Sequence, residues 1–272
     1  MNPLLLPTLA GALAFFFAGI WLTRQAQSKS QKSLILAACL FAAVPAFLFA
    51  VFYTGIFGEA EWFYSFRALT GSELFATGAG LLAGWLQTKR RQSQTIRKQV
   101  SAGFIPFALA LCVTAPYLKQ IFLRPDWNSF SDRWTNGVCL QSSESSCGPA
   151  SAATLLKHFG KTATEKEIAQ ASFTSRRGTE NWYLLRTLRQ RGLRAYYSIS
   201  ETNRTNPPSP AIVGVRLGST AGAGHFIAVL GKSENRYVIG DPLNGHEELS
   251  LAELQDRYYF TGFAIVADSH SP

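Results

Sequence analysis

The first 123 residues alternate long apolar runs with short polar breaks, and the rest of the chain does not. Four apolar segments stand out, over residues 3–23, 34–57, 74–87 and 100–123. A helix needs ~20 mostly apolar residues to cross a hydrocarbon core, and the first, second and fourth reach that length. The third is shorter and has Glu73 at its edge, but its Gly/Ala-rich stretch suits close packing between helices in a bilayer. The pattern therefore predicts a four-helix transmembrane region over 1–123, a tether over 124–137 and a folded domain over 138–272.

In the last part the apolar spacing changes. Residues 147–159 read as a helix, with Ala150, Ala153, Leu155, Leu156 and Phe159 near helical spacing. Ser145 or Ser146 is the candidate cap and Gly160 the stop. Thr164 and Glu167 form a capping-box pattern that opens a second helix to about Ala171. Thr179 is read as the cap of a third, from Glu180 to about Arg191, with Trp182, Leu184, Leu185 and Leu188 on its apolar face. Strand-like runs follow at 194–199, 211–216, 225–230, 236–239 and 260–266, and the turn 231–235 predicts an antiparallel hairpin. Helices first and strands afterwards is an α+β order.

Composition sharpens the division. The 272 residues are 47% hydrophobic and only 16% charged, against about a quarter charged in soluble domains. Residues 1–123 hold three acids (Glu59, Glu61, Glu73) and ten Lys/Arg, so most of the +9 net charge sits in loops between apolar runs. That placement argues against a nucleic-acid interface and for helix orientation in a bilayer. Loops 24–33 and 88–99 carry eight basic residues, and the opposite side carries four, namely Arg67, Lys119, Arg124 and Arg133. The imbalance places the two basic loops in the cytoplasm and the C-terminal domain outside, in a bacterial plasma membrane. No Lys or Arg precedes Arg24, so the first segment reads as an uncleaved helix with its N-terminus outside. The aromatic stretch 59–70 reads as an interfacial belt, with substrate guidance as the alternative.

There are four cysteines and no CxxC pair, so neither a structural metal nor a dense disulfide framework is expected. GxGxxG and P-loop patterns are absent, and no cofactor is expected. Cys147 falls at the first turn of a predicted helix, where the dipole and free N–H groups favour a thiolate; a buried structural cysteine is the plain alternative. Gly148 would let a substrate backbone approach, and Pro149 suits an early helical position. His225 opens an apolar strand and could act as base toward a helix-borne thiol. Asp241 comes sixteen residues later at the end of the next strand, where a carboxylate can orient an imidazole. Gln141 lies six residues before Cys147 and offers a side-chain amide to a developing oxyanion. Each signal alone has a structural reading.

Together, the stretches QSSESSCGPASAATLL at 141–156, GHFIAVL at 224–230 and IGDP at 239–242 resemble the bacteriocin-processing, double-glycine-leader cysteine peptidases, a papain-like family. The resemblance covers about residues 138–266. It implies Cys147 as nucleophile, His225 as base, Asp241 as orienting residue and Gln141 as oxyanion donor, hydrolysing peptide bonds without a metal. Many members are fused to ATP-driven exporters with the peptidase in the cytoplasm. Here the loop charges place the domain outside and no ATP-binding pattern appears, so the expected substrate is broader: a membrane-proximal peptide or protein, with a membrane partner open. The alternatives are a non-catalytic peptide-binding domain and a cysteine-dependent acyl transferase. Cys139, eight residues from Cys147, raises the further possibility of an inactivating disulfide. His158, His246 and His270 and the sequon at 203–205 carry no assigned role.

Overall fold

A computed structural model describes the chain except residues 1, 53, 55, 57–59, 92–95, 234–235 and 270–272; of residues 90, 91, 96–107 and 269 it describes the backbone. The N-terminal helices are α1 (Leu5–Gln25), α2 (Lys29–Phe52), the short α3 (Glu61–Ala68), a 3-10 segment Ser72–Gly78, α4 (Ala79–Arg91) and α5 (Ile96–Phe122). The chain forms two compact units. One comprises residues 1–58 and 71–121; the other comprises 59–70 and 122–272.

In the first unit, α1 and α2 are the two helices, among the described residues, long and apolar enough to cross a membrane. Of the other two expected spans, the third differs from the pattern-based reading. The third begins as the 3-10 segment and continues as the 13-residue α4. The fourth is a 27-residue helix whose described apolar part is Ala108–Phe122. Helices α4 and α5 extend into the basic loop expected over 88–99; residues 92–95 of it lie outside the described residues, as does His270. Small residues let α1 and α4 approach backbone to backbone, since a Cβ at Gly80 or Gly84 would stand 2.1 Å from the carbonyl oxygen of Ala12 or Phe16. Near Asn2 the unit is polar inside. The Asn2 amide N–H donates to Gln120 Oε1 at 3.0 Å, and the buried Glu73 accepts from Asn2 Nδ2 at 3.4 Å.

The second unit is α+β. A hairpin of β1 (Arg133–Thr135) and β2 (Val138–Leu140) leads to α6 (Cys147–His158), α7 (Glu165–Ala171) and α8 (Asn181–Gln190). Then come β3 (Leu193–Ile199), α9 (Thr202–Thr205), β4 (Ala211–Leu217), β5 (Gly224–Lys232), β6 (Tyr237–Asp241), β7 (Gly245–Leu249), α10 (Leu251–Arg257) and β8 (Tyr258–Ser269). The six longer strands form one antiparallel sheet in the order β3-β8-β4-β5-β6-β7. Ala211, Ile212 and Val213 in β4 are all buried, as a strand covered on both faces requires. On one face Val213, Val215, Ile227, Val229, Tyr237 and Ile239 pack with Leu254 of α10 and Tyr258.

Several local readings shift. The tether contains β1, and β7 and α10 had no separate sequence reading; α10 has its own capping box, Ser250 with Glu253. The Thr164–Glu167 capping box forms as its pattern indicates. Gly160 ends α6 at φ +71, with Lys161 N–H donating to Leu156 O and Gly160 N–H to Lys157 O. Thr179 does not cap α8. Glu180 holds that position, while the Thr179 hydroxyl pairs with that of Thr174 at 2.7 Å. Ser146 precedes α6 but makes no side-chain cap; its hydroxyl donates back to Ser143 O at 3.0 Å.

The stretch 59–70 departs most from expectation. Phe63, Tyr64 and Arg67 of α3 are buried within the second unit, on α8 and the sheet, instead of forming a belt. Tyr64 meets Trp182, Tyr197 and Phe263 at ring separations of 6.3, 5.7 and 6.0 Å. The Arg67 guanidinium lies 5.0 Å over Trp182, and Arg186 Nη2 donates to Arg67 O. Trp62 alone among these large side chains of α3 is well exposed.

Candidate active site

Helix α6 is the rod on which the candidate residues are arranged. Cys147 is its first residue and is half-buried. Four positions further on, the Ser151 hydroxyl donates to Phe226 O at 2.9 Å, tying the helix to the residue after His225. One turn beyond, the Thr154 hydroxyl accepts from Cys139 N–H at 2.9 Å, tying it to the strand that leads into Gln141. Beside it a Cβ at Gly240 would stand 2.8 Å from Thr154 Cγ2, so only glycine lets the Asp241 strand come this close. Gly148 follows the same logic. A Cβ there would stand 2.8 Å from Leu184 Cδ1 and 3.4 Å from Phe226 Cδ2, so this glycine lets α6 pack closely against α8.

Two of the candidates are joined directly. His225 Nε2 lies 2.8 Å from Asp241 Oδ1, with the histidine 6% exposed and the aspartate fully buried. The sheet explains why. In the β5–β6 register Ala228 opposes Gly240, so Asp241 lies diagonal to His225, a gap that two polar side chains can span. Burial opposes a charged imidazole, yet the Asp241 hydrogen bond and the nearby Cys147 side chain outweigh it and raise the His225 pKa to about 9. Nε2 is engaged by Asp241, so a second partner of the ring would meet Nδ1. Burial also acts to raise the pKa of Asp241, but the hydrogen bonds from His225, Tyr258 and the Leu243 N–H hold it below its ordinary value.

Two partners of Asp241 carried no sequence signal. Tyr258 OH donates to Oδ2 at 2.6 Å and Asn244 Nδ2 to the same oxygen at 2.7 Å, while Leu243 N–H donates to Oδ1 at 2.9 Å. Burial and the Asp241 bond push the Tyr258 pKa upward, so it acts as a donor. Asn244 and Leu243 follow Asp241 in a turn, where an Asp that accepts from the backbone two residues on is a recurrent motif. Tyr258 comes from the far side of α10, and only the fold brings it in.

Gln141 sits at the start of the loop before α6. Its N–H donates to Pro242 O at 2.9 Å, its Nε2 donates to Ser143 O at 2.9 Å, and its Oε1 is buried without a partner. One amide hydrogen is thus held by the loop, leaving a second. Cys139 is not a disulfide partner here. It is a free, fully buried thiol whose pKa is raised to about 12 by burial and by Glu165 and Asp132. Its backbone bonds Thr154, which lies about 10 Å along the helix from Cys147 at 1.5 Å per residue. A bridge needs Cα atoms within about 7 Å. Among the described residues no group of three His, Cys, Asp or Glu could hold a metal.

The family model for the peptidase C39 family matches residues 135–271. The chain belongs to the peptidase C39 family. The family is one of cysteine peptidases, and its papain-like domain is the second unit's α6-to-β8 body. This C39 chain is 31% identical over 131 residues to an uncharacterized protein of Methanothermobacter thermautotrophicus, covering 48% of this chain and 87% of that one. It is 33% identical over 111 residues to an uncharacterized protein of Methanothermobacter marburgensis, covering 40% and 72%. Similar solved structures include the peptidase domain of Streptococcus ComA, a bi-functional ABC transporter involved in quorum sensing, at 22% identity and TM-score 0.40 over 48% of this chain and 96% of that one. Another is a double glycine motif protease from an AMS/PCAT transporter in complex with the leader peptide, at 23% identity and TM-score 0.41, covering 48% and 89%. The C39 match begins at residue 135, so α3 lies outside it.

Proposed function

We propose that this chain is a membrane-anchored cysteine peptidase with Cys147 as nucleophile, His225 as acid and base, Asp241 as its orienting carboxylate and Gln141 as oxyanion donor. The observation that carries the reading is the position of one ring. His225 is hydrogen-bonded to Asp241 through Nε2, and the Cys147 side chain is close enough to help raise the pKa of the ring. In the reaction the Cys147 thiolate attacks the peptide carbonyl carbon. The carbonyl electron pair moves to oxygen, where the Cys147 N–H and the Gln141 amide receive it. The His225 imidazolium gives its proton to the amine nitrogen, the C–N bond breaks and the amine leaves, forming a thioester. Water then attacks the thioester carbonyl while His225 takes a proton. The C–S bond breaks, a carboxylic acid is released and the thiolate–imidazolium pair returns.

Anchoring is supported by α1 and α2, whose large side chains turn outward; Phe41 is 82% exposed, and Leu6, Leu13, Phe17, Trp21 and Leu34 are exposed as well. A contiguous outward apolar surface on long helices suits lipid. On this reading the region over 1–123 spans four times, the basic loops are cytoplasmic, and the peptidase acts outside on peptides or proteins at the membrane surface. Membership of the peptidase C39 family makes a peptide the natural ligand class, and no leader is assigned here. The test uses the full chain in detergent with a library of internally quenched peptides. Wild type cleaves some members at a rate that chelators leave unchanged, and Cys147→Ala removes the cleavage. Cleavage that survives Cys147→Ala refutes the assignment.

A further inference from the structure

Glu165 is the first residue of α7, next to a helix cap that Thr164 and Glu167 already complete. An acid at that position normally faces water and the helix dipole. Here it is fully buried. Burying a carboxylate is costly unless its oxygens are satisfied, and both are directed at one residue. Oε1 accepts the Ser142 N–H at 2.8 Å, and Oε2 accepts the Ser142 hydroxyl. The Glu165 N–H itself donates to Asp132 Oδ1 at 3.1 Å, just before the β1–β2 hairpin.

Ser142 directly follows Gln141. The backbone at 141–142 is therefore pinned from two directions, by Pro242 O beside Asp241 and by the Glu165 carboxylate. Beyond it, the Ser143 N–H bonds Ser146 Oγ at 3.0 Å and the Gln141 amide bonds Ser143 O, so the loop is tied across to the residue preceding Cys147. We propose that Glu165 is a positioning residue for the oxyanion side of the site, its carboxylate clamping Ser142 and so setting the Gln141 amide relative to Cys147. The inference rests on the peptidase reading above. A donor displaced by about 1 Å can cost about 10²-fold in rate.

The test compares two reactions at Cys147 in the full chain in detergent, with Cys147→Ala subtracted as background for the other three cysteines. Alkylation by iodoacetamide displaces iodide at a saturated carbon and develops no oxyanion. Acylation by p-nitrophenyl acetate bonds sulfur to the acetyl carbon through a tetrahedral oxyanion and releases p-nitrophenolate. Glu165→Ala slows acylation about 10–100-fold and leaves alkylation within about twofold. Glu165→Gln, which retains an acceptor for the Ser142 N–H, slows acylation less. Ser142→Ala, which removes only the hydroxyl partner, gives the same split at smaller size and carries the test should Glu165→Ala fail to fold. Acylation and alkylation falling together, or neither falling, overturns the proposal. A wild type that acylates no faster than Cys147→Ala removes the peptidase reading itself, and this inference with it.

Discussion

At His225 burial opposes the charged ring, and the Asp241 hydrogen bond together with the nearby Cys147 side chain outweighs it. The imidazolium therefore persists to about pH 9. Because the leaving amine needs that proton, kcat/KM for peptide cleavage should fall on the alkaline side near pH 9, a limb readable from a pH–rate profile. Stability follows the same sign. The folded value lies above the ordinary 6.5, so the contribution of His225 is fully present below about 6.5 and is lost as pH rises through about 9. Asp241→Asn should cut kcat by about 10²–10⁴, since it loses the charge that steadies the imidazolium. It should also move the alkaline limb toward neutral pH. An unmoved limb would mean that Asp241 is not what raises His225. Tyr258→Phe removes one donor to a buried carboxylate and should cost about 1.5–3 kcal/mol of stability, checked by denaturant unfolding.

Elements, rather than single residues, set how closely these groups approach. Helix α6 touches α8 through Gly148 and Leu184, with no room for a methyl group. Gly148→Ala should destabilise the domain by about 1–3 kcal/mol. The double variant Gly148→Ala/Leu184→Ala should lose less than the two single changes summed, a double-mutant cycle that isolates the contact. Independent additivity would place the strain elsewhere. Helix α3 matters at the same scale. Its Phe63 and Tyr64 are buried against Trp182, Tyr197 and Phe263, and Phe263 in turn meets Phe226 at 5.8 Å, next to His225. A fragment of residues 122–272 should therefore unfold at lower denaturant than the same fragment carrying residues 59–70 on a linker. Phe63→Ala in the linked form should cost about 3–5 kcal/mol. Equal midpoints for the two fragments would show that α3 adds nothing to the domain.

For the molecule as a whole, the charge asymmetry of the loops sets the expectation. Protease added outside intact cells or spheroplasts should reach the C-terminal domain. Full protection there, with cleavage only after lysis, would reverse the orientation. Much of the second unit was legible beforehand. The Cys147 helix, the Thr164–Glu167 box, five strand cores and the order Gln141, Cys147, His225, Asp241 all follow from spacing, caps and motif stretches. These are local features, and local patterns report on nearest neighbours along the chain. What escaped was non-local or short. The strands β1, β2 and β7 are three to five residues each, too brief for a clear period.

Sequence alone marked the apolar segments, the half that the C39 family model matches and four candidate side chains, because residue type and spacing encode those directly. Only the tertiary structure decided who surrounds them. Tyr258 behind Asp241, Glu165 beneath Ser142, Thr154 between Cys139 and Gly240, and α3 on the domain rather than in a belt are all meetings of distant positions. Their physical reason is common: a buried polar or aromatic group takes whatever partner close packing delivers, and the chain's linear pattern does not specify which that will be.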